Sequence, residues 1–392
     1  MAPCAPCEAT TDCLLQLSSA VTDFEQYGAV AELDSVPDTL TFERTFVARN
    51  RPCVIRDAVS HWPAVEKWSL DYISDAMGDQ KSTCTFSSNG RADSVQRLPH
   101  GDVFLLPDNR EMTVREFTHL FRDSKRDGSS FVPSAQYQND NMSEFGCLAR
   151  DFDASFPWAF QAFDSGSPDA VNLWIGDSRS STSFHKVRQW LLSPRDVQHS
   201  RALVSGPELY THPITCRALQ DYYENLYAVV KGQKTFTLRP PSSVAHMHLQ
   251  TYPVWEQTLQ SDFKTFAFRP KDDEASTSSS APQVVWCPVD VDAIHAGGSK
   301  RAEQESLFPR YFQGPRPIEV TVNAGDLLYL PAMWYHYVRQ SELEDEAVVA
   351  VNCWVDMRFD ARYAYFDCVR RLCESVGLVG AGCPGHCSQE QP

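Results

Sequence analysis

The sequence predicts a mainly β protein with flanking helices, an α+β fold, on three observations. Strand signals dominate from Val171 onward, helical spacing marks the first residues, and a second helical stretch closes the chain. Leu14, Leu17, Val21 and Phe24 recur every three or four positions and predict an opening amphipathic helix. Phe46-Val47 and Cys53-Val54-Ile55 read as short strands around Asn50-Arg51-Pro52. Thr113 and Glu116 form a capping box ahead of Val114, Phe117, Leu120 and Phe121, which predicts a helix.

The strand series runs Val171 to Ile175, Leu226 to Val230, Thr235 to Leu238, Ile318 to Val322, Asp326 to Leu330 and Ala347 to Val355. Lys231-Gly232-Gln233-Lys234 reads as a hairpin turn between two of these strands. Tyr363, Phe366, Val369 and Cys373 mark the closing helix. Lys271 to Gln283 is polar and Ser-rich, with Ala296 to Glu305 similar, so both read as loose segments. The expected organisation is a mostly helical elaboration over 1–130 and a β core over 131–358 with insertions at 187–220 and about 270–306. A helix over 359–378 and a tail over 379–392 follow.

Composition narrows the class. In 392 residues, 42% hydrophobic and 11% aromatic content supports a sizeable core and argues against global disorder. A formal charge of −16 argues against direct nucleic-acid binding, which usually needs a basic patch. No basic-then-apolar leader and no apolar run of membrane-spanning length are seen, so a soluble cytoplasmic or nuclear protein is expected, with no membrane partner. The 13 cysteines are odd in number and spread thinly, as reduced thiols are. Cys4 and Cys7 at one end, and Cys383, His386 and Cys387 at the other, lack the second CxxC of a strong zinc signal.

The chemistry-bearing residues suggest a metal site. A non-haem iron oxygenase needs two histidines and one carboxylate on one face of the ion, leaving positions open for a chelating co-substrate and O2. On a strand, the first histidine and the carboxylate come two residues apart, because alternate side chains share a face. His336 follows the strand, turn and proline of Gly325 to Pro331, a setting for the distal histidine. As a lone histidine among aromatics it would read as a core residue. His185-Lys186 is followed by Val187, which cannot bind a metal, whereas Asp221 opens Asp221-Tyr222-Tyr223-Glu224-Asn225-Leu226-Tyr227. Removing Val187 to Gln220 joins the pieces as one strand. On it, His185, Asp221, Tyr223, Asn225 and Tyr227 would share a face.

With those residues in view, the chain resembles JmjC-domain oxygenases. It is nearest to the small JmjC lysyl hydroxylases, the bifunctional peptidase and (3S)-lysyl hydroxylase group, and is more distantly similar to factor inhibiting HIF. The matching stretches are Asn50 to Ala58, His61-Trp62-Pro63, Lys67-Trp68-Ser69, Asp169 to Trp174, the split ligand motif, Lys231 to Pro241, Gly325 to Val338 and Val349 to Trp354. They span about residues 20 to 375, in order. The resemblance implies a double-stranded β-helix of cupin or jelly-roll type, with Fe(II), 2-oxoglutarate and O2 as cofactor and co-substrates. It implies His185, Asp221 and His336 as iron ligands. It implies Thr182 and Lys234 as the holders of the distal carboxylate of 2-oxoglutarate, and Asn225 and Asn352 as polar lining of that pocket. Read singly, Lys234 would be a solvated turn lysine and Asn225 a strand-end cap. Where the family often has a tyrosine, the matching position is Ser134, with Tyr137 nearby.

The departure from the family pattern is Val187 to Gln220. Valine codons begin with GT, and Leu219-Gln220 can be encoded by a stretch ending in CAG, so the segment reads as a retained intron. The alternative is a genuine surface loop, for which the inside of a strand is a poor place. His199 and His212 within it read as decoys.

The expected function is hydroxylation of a lysine side chain in a GTP-binding protein. The alternatives are metal-dependent endopeptidase action on methylated histone tails, which no HExxH supports, and a JmjC scaffold that has lost its metal. The resemblance also implies that the closing helix serves a homodimer.

Overall fold

The computed structural model describes residues 5–25, 28–128, 131–135, 140–185, 222–271, 282–343 and 346–380. Val187 to Gln220, Asp221, Tyr137, His199, His212, Cys4, Cys383, His386 and Cys387 lie outside the described residues, as does the side chain of Cys7. The strands are β1 (Ala31–Leu33), β2 (Cys53–Ile55), β3 (Lys81–Ser87), β4 (Ser94–Leu98), β5 (Gly101–Leu106) and β6 (Asp108–Thr113). They continue as β7 (Val132–Ser134), β8 (Ala170–Gly176), β9 (Ser181–His185), β10 (Tyr223–Lys231), β11 (Gln233–Arg239) and β12 (Gln250–Leu259). The last are β13 (Phe266–Pro270), β14 (Gln283–Trp286), β15 (Ile318–Asn323), β16 (Leu327–Leu330), β17 (Tyr335–Ser341) and β18 (Val348–Asp356).

Successive strands take turns between two sheets. One runs β1-β2-β16-β10-β18-β8 and the other β15-β11-β17-β9. Thus β8, β10, β16 and β18 fall in the first, and β9, β11, β15 and β17 in the second. This alternation defines the double-stranded β-helix that the resemblance implies. The ladders across the core are antiparallel.

Side-chain period explains the packing. Along β10, Leu226, Ala228 and Val230 join one apolar cluster with the N-terminal Phe42, Trp62 and Phe163, while Tyr227 and Val229 turn inward to meet Phe236, Leu238, Val320 and Leu328. Both faces of β10 are therefore covered, which is why its sequence is apolar without alternation. Each fully buried large side chain contributes on the order of 1.5–3 kcal/mol. A third cluster on the far side of the second sheet packs Phe184, Tyr335 and Tyr337 against Leu14 of helix α1 (Ala5–Glu25), Val244 and Cys373.

Several expectations need correction. Lys231 to Lys234 is not a hairpin, because β10 and β11 belong to different sheets and Gly232 turns the corner between them. Its φ is +67°, and a Cβ there would lie 2.9 Å from Ser341 O, so the corner needs glycine. Phe46-Val47 ends a π-helical turn, Glu43–Val47, that buries both side chains, instead of forming a strand. Of the stretch around 270–306, residues 272–281 lie outside the described residues, and the rest is mostly regular structure. Gln283 begins β14, and helices cover Val291–Ala296 and Gly298–Leu307. The helix from Asp290 onward starts where Asp290 accepts a hydrogen bond from the Ala293 amide, a cap overlooked beside the polar composition. The N-terminal part is helical only at first, and β3 to β6 follow between 81 and 113. The boundary at 130 is no break either, since β3 pairs with β7 and β5 with β12 across it.

The predicted joined strand is also corrected. β9 ends at His185 in the four-stranded sheet, and β10 starts at Tyr223 in the six-stranded one. The two strands therefore lie in different sheets, and 186–221, which joins them, is outside the described residues.

The capping-box helix forms over Val114–Arg126, with Thr113 and Glu116 bonded reciprocally. The closing helix forms over Ala361–Ser375. Among the described residues no helix is long and apolar enough to cross a membrane.

Candidate active site

One cavity between the two sheets collects His185, His336, Thr182, Lys234, Asn225 and Asn352. The ladder explains how. On β17 the side chains of His336, Val338 and Gln340 face the same way, and β11 places Leu238, Phe236 and Lys234 directly opposite them. On β9, His185 stands opposite His336, and Thr182 stands opposite Val338. The two histidines thus mark one end of a row and Lys234 with Gln340 the other.

Thr182 and His185 are three residues apart, so simple alternation would put them on opposite faces. The register between β9 and β17 slips by one residue between these pairs. That bulge gives β9 an extra residue and turns both side chains into the cavity. Sequence reasoning missed the bulge, and an odd spacing between two residues needed on one face was the signal available.

The imidazoles are set for metal binding. Their centroids are 4.1 Å apart. His185 Nδ1 lies 2.8 Å from Ser183 O, and His336 Nδ1 lies 3.2 Å from Trp334 O. A carbonyl oxygen only accepts, so each Nδ1 carries the proton and the neutral ring keeps its lone pair on Nε2. Burial, and then the neighbouring His185, hold the His336 pKa well below the usual histidine range, so it is neutral at pH 7. Trp286 lies parallel to the His185 ring at 6.2 Å, and its Nε1 donates to Ser183 Oγ at 3.0 Å. Trp286 was not expected, because β14 falls in the stretch of about 270–306 read as an insertion into the core. Among the described residues no group of three histidine, cysteine or carboxylate side chains is close enough to hold a metal. The third expected ligand, Asp221, is not among those residues.

At the other end Lys234 is 4% exposed. Among the described residues no carboxylate pairs with it, and its Nζ sits 5.6 Å from the centre of the Tyr227 ring. Burial alone pushes its pKa down to about 7. This is not the solvated turn lysine that the local sequence suggested. Thr182 Oγ1 accepts the Val338 amide at 3.0 Å, which leaves its own hydroxyl proton for another acceptor.

The two asparagines form one chain. Trp174 Nε1 donates to Asn352 Oδ1 at 2.7 Å, and Asn352 Nδ2 donates to Asn225 Oδ1 at 3.1 Å. Indole nitrogen can only donate, so both amides are oriented by it, and the Asn225 amide nitrogen ends the chain at the cavity wall. Tyr227 follows Asn225 on the same face and also lines the cavity, whereas Tyr223 stacks on Trp354. Ser134 is buried in β7 and does not line the cavity, so it does not take the tyrosine's place.

Comparison with known proteins agrees with this geometry. A profile of the cupin-like domain matches residues 39–187 and 211–361, and breaks within the 187–220 segment. An Arabidopsis thaliana protein named lysine-specific demethylase JMJ32 is 34% identical over 352 residues, covering 88% of this chain and 86% of its own. The human protein named bifunctional peptidase and (3S)-lysyl hydroxylase JMJD7 is 32% identical over 354 residues, covering 89% and 91%. JmjC domain-containing protein E of Dictyostelium discoideum is 27% identical over 347 residues, covering 84% and 85%. With the alternating sheets, the facing histidines and these matches over most of each chain together, the chain belongs to the cupin-like JmjC oxygenase family.

Proposed function

We propose that the chain is an Fe(II)- and 2-oxoglutarate-dependent dioxygenase that hydroxylates a lysine side chain in a GTPase-type protein. The observation that carries the cofactor reading is the pairing, in one cavity, of two facing histidines with their Nε2 atoms free of protons at one end and an ammonium lacking a described carboxylate partner at the other. A buried cation in such a place calls for an anion. Gln340, which stands opposite Lys234, is four positions beyond His336. At about 3.3 Å of rise per residue, with a lysine side chain reaching inward, that row suits a short dicarboxylate stretched between metal and ammonium.

His185 and His336 would hold the ion through Nε2, and Asp221 would be the anionic third ligand. Lys234 would bind the distal carboxylate, with the Thr182 hydroxyl and the Asn225 amide donating to the same co-substrate. The Nδ1 bonds fix both rings, and the apolar wall of Phe236, Val338 and Trp174 keeps water from competing. Fe(II), 2-oxoglutarate and O2 together supply the oxidation of an unactivated C–H bond to an alcohol, with succinate and CO2 released. The choice of lysine rests on similarity to the human protein named a (3S)-lysyl hydroxylase, and the GTPase-type substrate on the family resemblance of the sequence.

A second reading, a scaffold without metal, is favoured by one observation: the family match breaks within the segment that separates His185 from Asp221. Succinate release distinguishes the two. The form lacking Val187 to Gln220, purified with Fe(II), 2-oxoglutarate and a lysine-containing peptide from a candidate GTPase, should release succinate, and its His336→Ala variant should not. Equal signals from both proteins would remove the oxygenase reading.

A further inference from the structure

We propose that Glu224, acting with Asn50, is a positioning residue for His336: it fixes the turn whose carbonyl sets the tautomer and direction of that imidazole. The consequence for a metal rests on the oxygenase reading, whereas the positioning of the ring does not.

Pro331 to Trp334 connect β16 to β17 and deliver His336 to the cavity. Met333 takes φ +68° there, in the left-handed region that a side chain ordinarily avoids. Such backbone persists only where its surroundings over-determine it. Two side chains from far along the sequence do so. Glu224 Oε2 accepts the Ala332 amide at 3.1 Å and the Tyr329 hydroxyl at 2.8 Å. Asn50 Nδ2 donates to Ala332 O at 3.2 Å. The Trp334 indole donates to Asn50 O at 2.9 Å and to Asn50 Oδ1 at 2.7 Å. Both backbone polar groups of Ala332 are thus held, one by each residue. Glu224 is 3% exposed and Asn50 7%, so water offers no ready substitute for either.

The turn passes this constraint to the imidazole. Trp334 O lies 3.2 Å from His336 Nδ1 and takes its proton, which keeps the lone pair on Nε2. A turn free to relax would move that carbonyl. The proton could then sit on Nε2, the nitrogen that must be bare to meet an ion. The series runs from the Glu224 carboxylate through the Ala332 amide and the Trp334 carbonyl to the ring. Next along β10, Asn225 lines the cavity, so one strand builds the wall with one residue and supports the distal histidine with its neighbour. Both bonds to Glu224 end on the same oxygen, so the role calls for an acceptor and not for a charge. Glutamine supplies such an oxygen. Methionine fills similar space without one.

The test is nitrogen NMR of the full-length chain with ring-labelled histidine, free of metal, the His336 signals being identified by their loss in His336→Ala. Wild type and Glu224→Gln should show one His336 form, protonated on Nδ1 and slow to exchange that proton. Glu224→Met and Asn50→Ser should show both tautomers and exchange at least about tenfold faster. Tyr329→Phe removes only the other bond to Glu224 and should leave the ring as in wild type, whatever it does to the melting curve. A folded Glu224→Met or Asn50→Ser protein with a single, protected Nδ1 form overturns the proposal, and the second variant decides if the first does not fold. A Glu224→Gln protein as loose as Glu224→Met overturns it too. Co(II) titration of the same proteins should show affinity about tenfold to a hundredfold lower in Glu224→Met than in wild type. A loosened ring with wild-type Co(II) affinity would overturn the link to the metal. A wild-type chain that takes up no Co(II) would count against the metal reading alone, while the ring spectra still decide the positioning.

Discussion

His185 and His336 stand directly opposite each other on neighbouring antiparallel strands, with ring centroids 4.1 Å apart and each Nδ1 turned to the carbonyl two residues back. This relationship makes His336 the residue whose loss should be cleanest. His336→Ala should lower Fe(II) affinity by at least about a hundredfold and abolish succinate release, since one of three protein ligands is removed. The fold should survive, because the buried ring is neutral and makes one hydrogen bond. Metal titration beside a melting curve checks both, and a variant that binds iron normally would exclude His336 as a ligand.

Lys234 should make co-substrate binding depend on pH. Its pKa is pushed down to about 7 in the ligand-free cavity, and a bound carboxylate needs it charged. Below pH 7 affinity for 2-oxoglutarate should be flat. Above 7 it should fall, approaching tenfold per pH unit, because binding must take up a proton. The ligand-free fold should change the other way, gaining stability between pH 7 and the ordinary lysine range, where the unfolded chain binds the extra proton. Calorimetric titration from pH 6 to 9 reads the first trend. Lys234→Met should bind weakly at every pH, and raise the 2-oxoglutarate requirement well before it alters metal affinity.

The segment from Val187 to Gln220 sets up a comparison between two lengths of chain. A version lacking it should bind Fe(II) and convert 2-oxoglutarate to succinate, and the full-length chain should do so poorly. Asp221 immediately follows the segment and is the only anionic member of the proposed ligand set. Without it, neutral imidazoles alone would face a doubly charged ion. Matched activity in the two lengths would identify the segment as a tolerated loop. Reading the transcript across codons 186 to 221 tests the intron reading independently.

Gly90→Ala should cost about 2–4 kcal/mol in urea unfolding, through a positive φ and a contact with the Arg179 carbonyl that backbone cannot relieve. The denaturant slope should stay unchanged. Wild-type stability in this variant would show that the chain at 90–93, tied to β9 by the Ser181 amide on Gly90 O, can relax away from it.

Local pattern carried much of the fold. The capping box at Thr113 and Glu116, the closing helix and the core strands from Val171 onward were legible because each depends on neighbours in sequence. Which sheet a strand joins depends on partners far along the chain. For that reason Lys231 to Lys234 passed for a hairpin and β9 and β10 for one strand. In the site, the resemblance pointed to the histidines, Lys234, Thr182 and both asparagines, and these share one cavity. Trp286, Gln340 and Asp93 were not anticipated. Trp286 and Gln340 take their places by pairing with β12 and β11, and Asp93 by a hydrogen bond from Ser183 to its carbonyl, which no short window of sequence contains.

The alternation of strands between sheets also dictates when the site can exist during synthesis. In the six-stranded sheet, β18 lies between β10 and β8, so that sheet is incomplete until the ribosome has passed residue 356. The four-stranded sheet waits for β17, which brings His336 to His185. An emerging chain therefore carries His185 without its partner His336 until β17 is made, with unpaired strand edges on both sides. Such a nascent chain can neither retain a metal between two histidines nor close its core, and it depends on protection from aggregation until β18 has been made.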